Sequence, residues 1–479
     1  MLFIGLLSRL TAADFPPTLP LTGDRIVRVA TEPELQSAIS ELRHGDTVLL
    51  ADGTYALTAS LYVNQRNNVT IRGTSGSSNV VLRARGMDNP NHGGVLFGLW
   101  SNSTNTTLAH LTIRDTYDNA VIFNAGAQSP RLYGVDLLDA GSQFIKANSA
   151  DSTQGVNDGR VEFCRIEYLA GPPATDHGAG VGYFNGISAH AARRWTLRGN
   201  LFKNLHNPDA ADYPWNPAIL MWRRSSDTVV EGNTFINVDR AVAFGLENTD
   251  APDHSGGAIR NNFVYLEPGL MTLARTASSD ATILAWNSPG TTVDHNTVLL
   301  NGNVTFAIQF RFSQTRDGAA RHNLADAPVH LRDNATALLA HNRSNARSAW
   351  FVDPGNGDLH LRPAAVDAID QVPALEEVPI DFDGHRRPQG SKADLGADEW
   401  VPPPRPRITS TDFQGPHFTV VFDAWAGNTY HLEHTDTLHA NTTWVPLAPL
   451  SASANGSLAL THFNTLPQSL RFYRVRLEP

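Results

Sequence analysis

The stretch Leu197-Arg198-Gly199-Asn200-Leu201-Phe202 contains the pattern that decides the fold of this chain. An apolar residue is followed three positions later by a central residue, and two positions after that by a second apolar residue. The pattern occurs eight times, with central positions 24 to 36 residues apart. The central residues are Leu111, Val135, Cys164, Asn200, Asn233, Asn262, Asn296 and Asn323. A unit of this length, repeated at uneven spacing, indicates a solenoid whose coils are joined by loops of variable length.

Asparagine at five of the eight centres favours one type of solenoid. Stacked Asn side chains can hydrogen-bond amide to amide along the axis, while the apolar neighbours fill the interior. An antiparallel sandwich would need tight two-residue hairpin turns between strands, and such turns are scarce here. The pattern therefore predicts an all-β parallel β-helix. Leu35, Ile39 and Leu42 follow Thr31 at helical spacing, which predicts a short capping helix at the N-terminal end.

Composition and charge exclude several classes of function. The 479 residues include 37 Lys and Arg against 47 Asp and Glu, a formal net charge of −10, so we expect no nucleic-acid partner. An anionic ligand would need a local basic patch. The single cysteine, Cys164, excludes an intramolecular disulfide and a zinc site built on several thiolates. The chain contains no GxGxxG, P-loop or GxSxG motif, so it offers no basis for nucleotide, flavin or serine-hydrolase chemistry.

The chain divides into four predicted segments. Residues 1–13 contain a short apolar run ending in Thr11-Ala12-Ala13, which predicts a secretory signal and a bacterial-type extracellular or periplasmic location. We assign residues 25–400 to the β-helix, 401–407 to a proline-rich linker and 408–479 to a small β-sandwich for substrate binding or cell-surface attachment. No apolar stretch is long enough to span a membrane, and we expect a monomer.

Each coil contains a further strand after the Asn-centred one. Alignment by the inward apolar residue pairs eight segments: VIFN (121–124), IKAN (145–148), ISAH (187–190), ILMW (219–222), VAFG (242–245), ILAW (283–286), IQFR (308–311) and VHLR (329–332). Their second and fourth positions should face solvent. These positions include Lys146, His190, Trp222, Trp286, Gln309, Arg311 and Arg332. Exposed Trp rings stack on sugars and cations bind uronate or sulfate groups, so the stripe predicts a polysaccharide groove. The alternative is that a long loop, 167–185 or 203–216, or the N-terminal helix covers the stripe, in which case the aromatic residues serve only in packing.

The opening ELQSAI…GDTVLLADGTY and the segments RGNLF, VEGNTF and IRNNFV resemble right-handed parallel β-helix proteins of the pectin-lyase-like superfamily, over roughly residues 25 to 400. The opening is most similar to the alginate lyase and chondroitinase B family of polysaccharide lyases. The segment IDFDGHRRPQGSKADLGADEW (380–400) is similar to a closing segment of exported bacterial β-helix proteins. The resemblance implies an enzyme that cleaves or epimerises a uronate-containing polysaccharide.

Such a lyase neutralises the uronate carboxylate, removes the C5 proton with a base and protonates the leaving oxygen. Aligned with the family, this chain has His190 where the family has its Lys base, and Trp222 or Arg223 where it has its Arg. The resemblance therefore implies His190 as base, Arg223 or Arg311 as the neutralising cation, and Trp222 and Trp286 as sugar platforms. Additional candidates are Lys146 and His254 for catalysis, and Gln309, Arg332 and Glu247 for substrate binding.

Two other functions stay open. A glycoside hydrolase needs two carboxylates about 5 to 9.5 Å apart, which only loop residues such as Asp239 and Glu247 could supply. A cell-surface or matrix protein could instead bind glycans without cutting them. The acidic run Asp381 to Gly384 suggests Ca²⁺, but it lacks the ligand spacing of an EF-hand loop, so we favour a structural turn and assign no certain cofactor.

Overall fold

The computed structural model describes residues 17–402, 405–425, 428–439, 442–454, 456–463 and 470–478. The predicted signal segment 1–13 and two residues of the predicted linker lie outside the described residues. The chain separates into two compact units, residues 1–400 and residues 401–479.

The first unit is a parallel β-helix, as predicted, in which each regular coil adds one strand to each of three parallel sheets. Sheet 1 consists of Arg25–Val29, Asp46–Leu50, Thr70–Gly73, Thr107–Ala109, Arg131–Tyr133, Arg160–Glu162, Thr196–Arg198, Val229–Glu231, Ala258–Arg260, Thr292–Asp294, Gly318–Arg321 and Ala337–Ala340. Sheet 2 consists of Gly53–Ala56, Val80–Arg83, Thr112–Thr116, Asp136–Ala140, Arg165–Glu167, Leu201–Lys203, Thr234–Ile236, Phe263–Tyr265, Thr297–Leu299 and Leu324–Ala325. Sheet 3 consists of Leu61–Val63, Leu99–Ser101, Val121–Phe123, Ile145–Ala147, Ile187–His190, Pro217–Trp222, Arg240–Phe244, Ala281–Trp286, Phe306–Arg311 and Val329–Arg332.

The Asn-centred pattern forms the tight turn between sheets 1 and 2. Gly199 precedes Asn200 with φ 65°, in the left-handed region that Gly adopts without steric cost, and the residues before the later centres share this conformation. The buried amide of Asn200 donates to Asn233 Oδ1 at 2.9 Å. The same bond links each following pair of centres, Asn233 to Asn262, Asn262 to Asn296 and Asn296 to Asn323. Asn323 extends the ladder to Asn342, one coil beyond the predicted pattern. A buried amide column is tolerated because its members satisfy one another.

The N-terminal end of the solenoid is closed by the predicted helix, Glu32–Ser40. Thr31 caps it, and a capping box joins Thr31 to Glu34. Its buried face, which includes Leu35 and Ile39, covers the interior of the first coils. The remaining short helices are the α-helix Leu273–Ala277 and the 3₁₀ turns Ser77–Asn79, Ser348–Trp350 and Pro354–Asn356.

The outward face of sheet 1 has charges of alternating sign on successive strands, which we call the charge ladder. Its members at equivalent positions are Glu162, Arg198, Glu231, Arg260, Asp294 and Arg321. Arg198 lies 2.8 Å from Glu162 and 3.7 Å from Glu231, and Arg260 lies 2.8 Å from Glu231. Each cation therefore has a carboxylate on a neighbouring coil, and Arg321 pairs in the same way with Asp294 at 2.8 Å.

Small strand pairs complete the first unit, and the second unit is a separate antiparallel module. The pairs are Ser225–Ser226 with His254–Ser255, and Phe351–Asp353 with Asp358–Leu361. In the module, one sheet contains Ile408–Gln414, His417–Ala424 and Gly456–His462, and the other contains Thr429–Thr435, Val445–Pro446, Leu450–Ser451 and Phe472–Leu477. A buried apolar cluster that includes Val420, Phe422, Tyr430 and Leu432 joins the two sheets. Among the described residues, no helix has the length and apolar character required to cross a membrane.

Candidate functional site

Sheet 3 has the predicted register, with Ile187 beside Ile219, His190 beside Trp222 and Trp286 beside Arg311. The outward face nevertheless differs from the expected stripe, because it extends further toward the N-terminal end and its C-terminal arginines are paired with carboxylates. Two further strands, Leu61–Val63 and Leu99–Ser101, precede the eight aligned segments.

The two aligned tryptophans are not open sugar platforms. Trp222 is 8% exposed and Trp286 is 5% exposed, and both belong to an apolar cluster on the outer surface of sheet 3. The guanidinium of Arg223 lies 4.4 Å from the Trp222 ring, and that of Arg311 lies 4.5 Å from the Trp286 ring. The prediction was wrong because large rings on an outward face pack against their neighbours when cations can cover them.

The C-terminal part of the stripe is neutralised by the chain itself. Arg311 Nε lies 2.6 Å from Asp333, and Arg332 Nη1 lies 2.6 Å from Asp280. Gln309 is fully buried and its amide contacts His330 Nδ1 at 3.1 Å, so it cannot reach a ligand in the groove. The predicted substrate-binding roles of these three residues do not fit their surroundings.

His254 lies in the interior, contrary to its predicted place in the groove. Its ring stacks on Phe244 at 4.1 Å, and its two nitrogens contact Ser288 Oγ at 3.0 Å and Thr228 Oγ1 at 3.3 Å. Burial lowers the pKa of His254 to about 3, so the ring is neutral. His254 is thus a satisfied core histidine.

The two loop carboxylates considered for a hydrolase are also separated. Asp239 is fully buried and pairs with His206 at 2.7 Å and with Arg275. The pair with His206 ties it to loop 203–216. Glu247 is exposed, and its backbone N–H donates to Asp253 Oδ2 at 2.9 Å. Only one of the pair is accessible.

Three other predicted residues do meet, and we call Lys146, His190 and Arg223 the cation cluster. They come from three successive coils of sheet 3. Lys146 Nζ lies 3.1 Å from His190 Nε2 and 3.2 Å from Ser188 Oγ. The His190 ring meets the edge of Trp222, with ring centroids 5.2 Å apart. Lys146 and His190 are half-buried and Arg223 is exposed.

Burial and mutual repulsion set the protonation of the cluster. Burial, together with the charge of Arg223, lowers the pKa of Lys146 to about 8, and the carboxyl of Asp118 opposes this change. Burial and the charges of Lys146 and Arg223 lower the pKa of His190 to about 3. At neutral pH, His190 is therefore a neutral acceptor for the Lys146 ammonium.

Arg223 is held in place by Asp253, a residue that sequence reasoning missed. Arg223 and Arg224 both have positive φ, 53° and 72°, a conformation that costs non-glycine residues about 1 kcal/mol or more each. The buried carboxylate of Asp253 accepts the N–H of Arg223 at 2.6 Å and that of Leu246 at 2.7 Å. These bonds fix the strained turn that aims Arg223 along the outer surface. No sequence motif identifies Asp253, since it lies thirty residues away along the chain.

The two long loops wall the cluster rather than cover it. Asn207 and Asn216 both donate to Gly182 O, at 2.7 Å and 2.6 Å, which ties loop 203–216 to loop 167–185. Tyr183, at the end of the latter loop, lies close enough for the charge of Arg223 to oppose the rise that burial causes in its pKa. Since Arg223 remains exposed and Lys146 and His190 are half-buried, the loops leave the cluster partly accessible to solvent.

The acidic run suggested for Ca²⁺ forms a turn, in which Asp381 Oδ1 accepts the N–H groups of Asp383 and His385 at 3.0 and 2.7 Å. Nearby, His360, Asp383 and Asp398 have ligand atoms within 4.8 Å of one another, a spacing suited to a metal ion. His360, however, has Asp358 2.5 Å from Nδ1 and Asp383 3.1 Å from Nε2. Although burial alone would lower it, these bonds raise the pKa of His360 to about 11. In this protonation state the imidazolium has a carboxylate beside each of its ring nitrogens.

Comparison with known proteins gives structural neighbours only. No protein-family model matches the chain, and no curated protein sequence is similar to it. An alginate lyase from Paenibacillus sp. str. FPU-7 is 18% identical over 67% of this chain and 99% of its own, with a TM-score of 0.40. The pectate lyase Pel9A is 11% identical, covering 79% and 97%, with a TM-score of 0.46. A polygalacturonase from Erwinia carotovora ssp. carotovora is 11% identical, covering 70% and 96%, with a TM-score of 0.39. The strand pairing itself shows that the chain is a parallel β-helix protein with a separate antiparallel C-terminal module.

Proposed function

We propose that this protein is a polysaccharide lyase that cleaves a uronate-containing polymer by β-elimination. The observation that carries the proposal is the cation cluster. In the described part of the chain, neither Lys146 nor Arg223 forms a salt bridge, whereas Arg311 and Arg332 on the same face do. Two unpaired cations in a protein of net charge −10 are a local site for an anionic ligand.

Lys146 is the base in this proposal, in place of the His190 assignment. A general base works best when its pKa lies near the working pH. The lowered pKa of Lys146, about 8, meets this condition, and that of His190, about 3, makes the imidazole a weak base. His190 instead orients the amine through its 3.1 Å contact with Nζ.

Arg223 neutralises the substrate carboxylate. Its exposed guanidinium can bind a carboxylate through two parallel N–H donors, which stabilises the negative charge that develops when the C5 proton leaves. Asp253 and the Trp222 ring restrict its position. Positioned charge of this kind is worth most when it is fixed before the reaction begins.

The elimination balances with these residues. The C5 proton passes to the neutral amine of Lys146, and the C5–H electron pair forms the C4=C5 double bond. The C4–O bond breaks, and the resulting Lys146 ammonium returns the proton to the leaving oxygen. A product with an unsaturated uronate end distinguishes this reaction from epimerisation, which leaves the chain uncut.

The remaining assignments accompany this function as proposals. We propose export through residues 1–13, a β-helix domain over residues 25–400, a linker at 401–407 and a sandwich module at 408–479 that binds substrate or attaches the monomeric protein to a surface. No carboxylate occupies the outward positions of the aligned sheet 3 segments, which disfavours the hydrolase alternative.

The test is a screen of acidic polysaccharides for ultraviolet absorbance from unsaturated uronate products. We expect at least one uronate polymer to be cleaved by the wild-type protein and by an Arg332→Met control, but not by Lys146→Met. Binding without any new absorbance would favour the non-catalytic glycan-binding alternative. Equal rates for Lys146→Met and wild type would contradict the assignment of the base.

A further inference from the structure

Two aromatic side chains continue the Lys146 column toward the N-terminal end of sheet 3. The strand register places Tyr62 beside Trp100, Trp100 beside Ile122 and Ile122 beside Lys146. Tyr62 is 49% exposed and Trp100 is half-buried. Their ring centroids are 5.9 Å apart, with planes inclined by 48°. These two rings are accessible on the outward face of sheet 3, whereas Trp222 and Trp286 on the same face are covered by their neighbours.

The spacing of these rings relates them to the cation cluster. Neighbouring strands lie about 4.8 Å apart, so Trp100 is about 10 Å and Tyr62 about 14 Å from the Lys146 position along the axis. A few linked sugar rings bridge such distances. A polymer running along sheet 3 with one uronate at Lys146 would therefore cross both rings.

Polar groups beside the rings suit sugar hydroxyls. The neighbouring column of the same face contains the half-buried amides of Asn102, Asn124 and Asn148. Asn148 donates to Asn124 Oδ1 at 3.2 Å, and Asn102 Oδ1 accepts the N–H of Gln65 at 2.8 Å. An aromatic surface flanked by amides matches the apolar face and the hydroxyl rim of a sugar ring better than it matches an apolar protein segment.

The platform ends where the sheet ends. Leu61–Val63 is the edge strand of sheet 3, and the capping helix packs next to it through the bond from Gln36 Nε2 to Ala59 O at 2.9 Å. Tyr62 is therefore the terminal outward residue of this column.

We propose that Tyr62 and Trp100 form a sugar-stacking platform for the uronate chain on the N-terminal side of the cation cluster. The proposal rests on the proposed function for the nature of the chain, and it adds the direction and length of the substrate site. Ligands that reach from Lys146 to the platform gain the stacking contacts, whereas the shortest oligosaccharides bound at the cluster do not.

The test measures binding by the full chain carrying Lys146→Met, so that cleavage does not interfere. The probes are size-fractionated oligouronates from alginate and from polygalacturonate, followed by tryptophan fluorescence and calorimetry. We expect Tyr62→Ala and Trp100→Ala each to weaken binding of the long oligouronates about tenfold and to leave that of the shortest unchanged. Trp100→Phe should retain most of the affinity. Phe163→Ala, which removes an exposed ring on the turn between sheets 1 and 2, is the matched control and should bind as its parent does.

The outcomes separate the platform from the catalytic proposal. Long oligouronates that bind the alanine variants as tightly as the parent would overturn the platform, even if cleavage by the wild type is confirmed. Failure of every oligouronate to bind would overturn it as well. Length-dependent binding that is lost in Trp100→Ala, in a protein that never yields unsaturated products, would support the platform and contradict the lyase.

Discussion

Sheets 1 and 3 are built from the same coils, yet the charge ladder of sheet 1 pairs its charges and the cation cluster of sheet 3 does not. In the charge ladder of sheet 1, Glu162 lies between Arg131 and Arg198, at 2.8 Å from each. In sheet 3, Lys146 forms no salt bridge among the described residues, and its charged neighbours are Arg223 and the carboxyl of Asp118. The first arrangement joins successive coils, whereas the second leaves a positive site in which burial and the charge of Arg223 lower the pKa of Lys146. The cation cluster therefore differs from the arginines of the charge ladder, each of which has a carboxylate within salt-bridge distance.

Removing the Lys146 amine should have the largest effect on activity. Lys146→Met should reduce the elimination rate about 1,000-fold or more, because it deletes the proton acceptor, and it should leave the melting temperature unchanged because no salt bridge is lost. Initial rates and calorimetry measure the two quantities. Arg198→Met is the comparison in the ladder, where we expect full activity and a lower melting temperature. A reversed pattern would contradict the distinction between the two sheets.

Arg223→Ala should raise KM for the uronate polymer about 100-fold, because the carboxylate loses its bidentate partner. It should also move the acid limb of the pH–rate profile upward, since Arg223 lowers the pKa of Lys146. Arg223→Lys should lower KM only part of the way back toward the wild-type value, because an ammonium cannot form the bidentate contact with the carboxylate. Unchanged KM in Arg223→Ala would assign the carboxylate to another residue.

Asp118 provides a second test of the electrostatics of the cation cluster, because its carboxyl raises the pKa of Lys146. Lys146 must lose its proton to act as base, so wild-type activity should rise with pH through about pH 8. Asp118 raises the pKa of Lys146, so Asp118→Asn should shift this limb to lower pH and leave the alkaline plateau unchanged. A pH profile of kcat/KM measures the shift. A limb that stays in place or moves upward would exclude electrostatic control by Asp118.

The smallest effect on activity should come from the ladder. Glu162→Gln leaves two arginines without their shared carboxylate and should cost about 1 to 2 kcal/mol of unfolding free energy. Denaturant unfolding measures this loss, and lyase activity should not change. Reduced activity at full stability would show that the two faces are coupled.

The fold was predictable from the sequence because the turn between sheets 1 and 2 constrains residue type. Its left-handed position favours Gly, Asn or His, and the next position needs a side chain that stacks on its equivalents, so the pattern recurs despite loops of different length. The register of sheet 3 was predictable for a related reason, since each inward position needs an apolar residue.

The site was predictable only in part. Outward orientation identified Lys146 and His190, and the family resemblance identified Arg223, but alternation does not reveal which outward residues are covered. Trp222 and Trp286 are covered by arginines, and Gln309 is covered by the packing around His330. Asp253, which holds the backbone of Arg223, and Asp118, which raises the pKa of Lys146, are about thirty residues away from these partners along the chain. Tyr62 and Trp100 could have been found by extending the alignment two coils toward the N-terminus, where the segments LYV and LWS have the same alternation.

The central claim, that Lys146 is poised as a base, can be tested directly because the sequence contains only three lysines, Lys146, Lys203 and Lys392. An NMR titration of labelled lysine side chains in the 479-residue chain, with Lys146→Met to assign the signal, yields each pKa separately. We predict a pKa of about 8 for Lys146. A Lys146 pKa at the ordinary value, near 10.5, would contradict the account.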